Sequence, residues 1–142
     1  LKPDPKKEIL FNPEESIDFN GHTGPFIQYT YARINSIINK SNNFKTVFKV
    51  NRNLINEEKR LIKLILNYPT TIEQSASNLN PSILANYLYV LSKEYNHFYQ
   101  KIPILNIENQ HDINFRVTIS KKVGLLIYKG MNLLGIHVPS KM

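Results

Sequence analysis

Asn80-Pro-Ser-Ile-Leu-Ala-Asn-Tyr-Leu-Tyr-Val-Leu-Ser-Lys-Glu-Tyr-Asn-His-Phe-Tyr-Gln-Lys-Ile-Pro103 is the stretch that decides the fold. Its apolar residues Leu84, Tyr87, Leu88, Leu91, Tyr95, Phe98 and Ile102 recur at helical spacing and gather on one face. Asn80 suits an N-cap, and Pro81 suits the first helical position, where its missing N–H would have no intrahelical partner. Pro103 then stops the run. Upstream, Thr70 and Glu73 have capping-box spacing and predict a short helix carrying Ile72, Ala76 and Leu79. Pro69 is expected to end the helix before it, which opens with Asn56 as cap and Glu57 and Glu58 in the first turn, and buries Leu61, Ile62, Ile65 and Leu66. Residues 40–53 are polar and basic and form a loop. A further helix opens at Gly24-Pro25 with the stripe Ile27, Tyr31, Ile34 and Ile38, and Glu8 to Asn12 are expected to form a brief strand ending at Pro13. Downstream, a long helix runs from an Asp112 cap to Leu134. It is apolar over more than half its circumference, and therefore central, with Gly135 as a left-handed cap and Pro139 beyond. The expected fold is all-α, an antiparallel helical bundle of about five helices with a short N-terminal extension.

A chain of 142 residues, 42% apolar and without cysteine, predicts one soluble globular domain in a reducing, cytoplasmic setting. No apolar run approaches the roughly 20 residues of a membrane span. The opening Leu-Lys-Pro-Asp-Pro has neither methionine nor a signal-peptide core and suggests an excised piece. The net charge of +7 is uneven: residues 1–18 carry five acids against three lysines, leaving fifteen Lys and Arg against six acids in the rest. A polyanionic partner fits that balance. So does codon bias, because Asn, Ile and Lys fill 50 of the 142 positions.

No catalytic or metal constellation emerges. His22, His97, His111 and His137 lie far apart, with no paired ligand spacing. Nearly half the acids fall in the first 18 residues and the others suit caps or solvated faces, so no carboxylate pair suggests itself. The five glycines form no phosphate-cradling loop.

What stands out is an aromatic and basic face. At about 100° per residue, Tyr29, Arg33, Ser36 and Lys40 share the side of the first helix away from its core stripe. Tyrosine rings and an arginine plane can stack on unpaired bases, and the arginine can also fork onto a base edge or phosphate. The alternative is a solvated face, or Tyr29 packed beneath a loop. On the last helix, Lys121, Lys122, Lys129 and Asn132 share the narrow polar arc, which suits either a phosphate backbone or plain solvation. Arg116 falls on the apolar side and calls for an acid or a helix-end carbonyl.

Three ordered stretches resemble a known family. Phe19-Asn-Gly-His-Thr-Gly-Pro-Phe-Ile-Gln-Tyr-Thr-Tyr-Ala-Arg33 resembles the F-x-G-x-T-G-P-Y-x-Q-Y-x-x-A-R passage of arginyl-tRNA synthetases. Leu84 to Leu91 with Tyr95-Asn-His-Phe-Tyr99 resembles that family's A-x-Y-L-Y-x-L and F-N-x-F-Y helix, and Gly130 to Met142 resembles its C-terminal ending. The resemblance implies the C-terminal anticodon-binding domain of a class I arginine–tRNA ligase, with residues 24–142 as the helical domain and residues 1–23 as the end of the catalytic body and the connection. It implies arginine tRNA and the catalytic domain of the same chain as partners, and no membrane. No cofactor would sit in these residues, while ATP with Mg would serve catalytic motifs lying upstream. Tyr29 and Arg33 occupy the family's Q-Y-x-x-x-R contact pair, Tyr99 the place of an aromatic presented to the anticodon loop, and Met142 that of the residue closing over it. Packing stays open as the role of Tyr99, which lies at the edge of its helix's apolar stripe. Gly124 stands where many relatives carry a basic residue, and costs its helix about 1 kcal/mol relative to alanine. The competing reading is a helical protein-interaction module that docks through Tyr89, Tyr128 and the C-terminal tail.

Overall fold

The computed structural model describes residues 23–41 and 44–142, together with Pro13. The expected strand at residues 8–12, His22 and most of residues 1–23 lie outside the described residues. Four helices follow in order: α1 Gly24–Lys40, α2 Asn56–Ser77, α3 Pro81–Lys101 and α4 Gln110–Leu133. No strand occurs among the described residues.

Among the described residues, residues 24–134 form four helices rather than the five expected there, because Pro69 does not stop α2, which runs through it to Ser77. An internal proline removes one ladder hydrogen bond and crowds the preceding turn, at a cost of about 3 kcal/mol. Packing against α3 offsets it. The Tyr87 hydroxyl donates to the Leu64 carbonyl at 2.8 Å, the Tyr68 and Tyr87 rings lie 5.8 Å apart, and buried Thr71 donates back to the Asn67 carbonyl at 3.0 Å. Thr70 and Glu73 therefore sit exposed in mid-helix rather than in a capping box, and Ala76 is exposed as well. Leu66 and Leu79, both expected in the core, are 72% and 86% exposed. Leu79 is instead the turn residue after α2, with φ +48°. The cap of α2 is Ile55 rather than Asn56: the Glu58 carboxylate accepts from the Ile55 N–H at 3.2 Å. Likewise Asn109 caps α4, accepting from the amides of His111 and Asp112, and Asp112 lies in the first turn.

Other features follow the sequence closely. Asn80 accepts from the Ser82 N–H at 3.0 Å, Pro81 opens α3, and Leu84, Tyr87, Leu88, Leu91, Tyr95 and Phe98 are buried. Gly135 adopts φ +74° after α4, with the Ile136 N–H bonded to the Met131 carbonyl at 2.9 Å. In α1, Ile27 and Ile34 are buried as expected, whereas Tyr31 and Ile38 are half-buried and Thr30 and Ile37 complete the inner face.

Contacts between helices give their directions. Glu57 meets Lys101, Arg60 meets Glu94 and Leu64 meets Tyr87, so α2 and α3 run antiparallel. Ile34 against Gly124 and Tyr31 against Tyr128 make α1 antiparallel to α4. Phe26 on Tyr89 and Thr30 on Asn96 make α1 parallel to α3. Helices α3 and α4 each touch all the others, while α1 and α2 stay apart on opposite sides. Central α4 approaches closely at two glycines: a Cβ on Gly124 would lie 2.9 Å from Ile34 Cγ2, and one on Gly130 would lie 2.7 Å from Leu88 Cδ2.

Candidate nucleic-acid interface

Arg33 lies on the face of α1 turned towards the C-terminal half of α3. Its guanidinium carbon is 4.8 Å from the Tyr29 ring centroid and 4.9 Å from that of Tyr99, so a tyrosine lies against it from each helix. Nη2 donates to the Tyr29 hydroxyl at 3.2 Å, and Nη1 donates to Asn96 Oδ1. Asn96 Nδ2 donates to Thr30 Oγ1 at 2.9 Å, and that hydroxyl donates to the Phe26 carbonyl at 2.9 Å. Arg33 is thus held by two ring contacts and by a buried polar relay.

This cluster borders an open groove of about 1010 Å³ between α1, the end of α3, residues 102–106 and the C-terminal tail. Tyr29, Arg33, Ser36, Lys40, Tyr99 and Met142 all line it, so the structure brings together the six site residues expected from sequence. Lys141 adds a third cation, and among the described residues no acidic side chain lines the groove. Tyr29 and Tyr99 are each 42% exposed, which leaves ring surface for a planar partner. The rings of Tyr29 and Tyr99 lie close to the guanidinium, and the N–H groups of Arg33 not used by Tyr29 and Asn96 are free to hydrogen-bond in its plane.

Two devices fix the groove walls. The tail turns at Gly135, buries Val138, and is tied to α1 by the Gln28 amide donating to the His137 carbonyl at 2.7 Å. On the other side, Arg116 Nη1 donates to the Pro103 carbonyl at 2.7 Å and Nε donates to Glu58 at 3.2 Å, so Arg116 finds both partners its apolar position calls for. Glu58 also accepts from both Arg52 Nη atoms at 2.7 and 2.9 Å, while Arg52 Nε reaches both Asp112 oxygens at 3.0 Å. Burial pushes the Glu58 carboxyl up, but hydrogen bonds from Arg52 and Ile55 and the Arg52 charge outweigh it and hold the group below the usual carboxylate range. The bond to Glu58, above all, raises Arg52.

A second, mainly apolar groove of about 460 Å³ lies across α1 and is lined by Tyr31, Phe48, Leu125 and Tyr128 among others. Lys121 sits 5.4 Å from the Phe44 ring and Lys122 5.7 Å from that of Phe48, so part of the lysine arc is directed to the loop before α2. Lys129 and Asn132 remain exposed. Tyr89 is half-buried against Phe26, with ring centroids 5.4 Å apart. Among the described residues, no group of three or more His, Cys, Asp or Glu could hold a metal ion.

Sequence reasoning missed Lys141, for which no signal stood out, and Asn96 behind Arg33. The signal for Asn96 was present: a lone amide within the buried face of α3, between Tyr95 and Phe98.

The fold and its groove define an all-helical binding domain whose concave surface is basic and aromatic. Residues 27–142 match the family described as the DALR anticodon binding domain, and the chain belongs to that family. The arginine–tRNA ligase of Flavobacterium psychrophilum is 53% identical over 142 residues, which is 100% of this chain and 24% of that protein. That of Bacteroides thetaiotaomicron is 46% identical over 146 residues, again covering 100% of this chain and 24% of the relative. Among solved structures, Thermus thermophilus arginyl-tRNA synthetase gives a TM-score of 0.86 at 27% identity, covering 100% of this chain and 25% of that one. The arginyl-tRNA synthetase of Plasmodium falciparum, at 23% identity, 99% of this chain and 25% of its own, supports the fold with a TM-score of 0.82. The chain therefore spans about a quarter of the length of these relatives, and the resemblance drawn from its three motifs is borne out at the level of the family.

Proposed function

We propose that this domain binds the anticodon stem-loop of arginine tRNA and, within a longer arginine–tRNA ligase, orients the acceptor end towards a catalytic domain of the same chain. The observation that carries the reading is the Arg33 fork, with the rings of Tyr29 and Tyr99 beside it, on the border of a groove that among the described residues has three cations and no acidic side chain. Lys40 and Lys141 neutralise phosphates. Tyr29 and Tyr99 stack on splayed bases, each worth about 1–3 kcal/mol, and Arg33 with backbone groups near Met142 contacts base edges. Ser36 supplies a hydroxyl on the same face.

The groove takes RNA and does no chemistry of its own. Joining arginine to tRNA with ATP and Mg would fall to the part of the relatives that this chain does not span. Such an enzyme acts in the cytoplasm, and no described helix is long and apolar enough to cross a membrane.

The interaction-module reading retains one supporting feature, the second groove with Tyr128 42% exposed. Arg33→Ala separates the two. Under the anticodon reading this variant, still folded by thermal unfolding, binds the stem-loop at least about tenfold more weakly. Binding and charging of the tRNA at wild-type levels would refute it.

A further inference from the structure

The relay behind Arg33 has a fixed polarity. Thr30 is fully buried, and its hydroxyl proton is committed to the Phe26 carbonyl, so its oxygen is left to accept. That requirement orients the neighbouring Asn96 amide with Nδ2 towards Thr30 and Oδ1 towards Arg33. Oδ1 can only accept, and the guanidinium can only donate, so the Nη1 edge of Arg33 is anchored. The tyrosine rings crowd the same group, their centroids 4.8 and 4.9 Å from the guanidinium carbon. Unused N–H groups of the fork remain for a ligand in that plane. A flexible lysine or an unanchored arginine at this place would attract any phosphate. A planar fork in one fixed orientation instead suits a base edge that presents adjacent acceptors.

We propose that Asn96, oriented by Thr30, is a positioning residue for anticodon discrimination: it aims the Arg33 fork at the acceptor edge of one unpaired base, so that selectivity depends on the buried amide while charge attraction does not. The inference rests on the anticodon reading of the groove and extends it to two residues that touch no RNA. It separates two contributions of Arg33, its charge and its aim, and only the second needs the relay.

The test uses the full-length chain carrying this domain and measures dissociation constants for the arginine-tRNA anticodon stem-loop and for loops with each anticodon base replaced in turn. Thr30→Val removes the hydroxyl at nearly constant volume, Thr30→Ser keeps it, and Asn96→Leu removes the amide; thermal unfolding checks each variant. The expected result is that Thr30→Val and Asn96→Leu lower the discrimination ratio at one base by about fivefold or more. The salt dependence should stay unchanged, since Arg33 keeps its charge, and Thr30→Ser should keep discrimination within about twofold of wild type. If Asn96→Leu does not fold, the Thr30→Val and Thr30→Ser pair decides. Equal weakening of all loops, or an unchanged ratio in Thr30→Val, overturns the positioning role while leaving the anticodon reading intact. A wild-type chain that binds every loop alike overturns both.

Discussion

Replacing Glu58 by glutamine should unpin the loop before α2 and one wall of the groove together. The carboxylate accepts four hydrogen bonds: from Arg52 at 2.7 and 2.9 Å, from the Ile55 N–H at 3.2 Å and from Arg116 at 3.2 Å. An amide of the same size offers one oxygen and turns an NH2 group towards guanidinium donors, so at least two charge-assisted bonds are lost. Each is worth about 1.5–3 kcal/mol, and removing one partner of a buried ion pair costs about 3–5 kcal/mol. Arg52 keeps Asp112 and is partly exposed, and Arg116 keeps the Pro103 carbonyl, which places the loss near the lower end, about 3 kcal/mol. Urea unfolding at pH 7 measures it. The pH dependence has a definite sign. Because the Glu58 carboxyl is held below its ordinary value of 4.5, its contribution is present above that pH and is lost as pH falls through the lowered folded-state value. The gap between wild type and Glu58→Gln should therefore close below about pH 4.5. A loss under about 1 kcal/mol at pH 7, or a gap that persists unchanged in acid, would refute this account of the hub.

Leu79→Gly should stabilise the protein by about 1 kcal/mol, since it relieves a left-handed backbone at φ +48° and removes a side chain that is 86% exposed; a loss of stability in thermal unfolding would count against it. Gly124→Ala should gain about 1 kcal/mol of helix propensity and lose more, because the new Cβ would stand 2.9 Å from fully buried Ile34. The expected net is a destabilisation of about 1 kcal/mol by urea unfolding, and a more stable variant would show that α1 and α4 can separate freely.

The helices whose signals were local were legible in the sequence. In α3 the cap, the proline and the apolar stripe all agree, and the structure buries that stripe nearly as written. Pro69 was misjudged because a proline's local cost says nothing of what lies opposite it: Tyr87, distant in sequence, holds the adjoining turn. Leu79 failed for a related reason, since periodicity cannot register that the helix ends two residues earlier, at Ser77, and that the chain then passes through a left-handed residue. At the groove, the periodicity of α1 placed Tyr29, Arg33, Ser36 and Lys40 on one face, while Tyr99 and Met142 came from family resemblance. Neither source could supply the aromatic contacts about Arg33 or the relay behind it, because those contacts join residues 29–33 to residues 96–99 across the bundle. Gly124 makes the same point: what the helix loses in propensity, the crossing with α1 recovers in close approach.

The most direct test of the central claim is a binding titration of the chain with the arginine-tRNA anticodon stem-loop, beside a loop whose middle anticodon base is changed, each at about 50 and 200 mM salt. The account predicts binding that weakens steeply with salt and drops by about tenfold or more with the base change. Salt-insensitive binding, or equal affinity for the two loops, would contradict it.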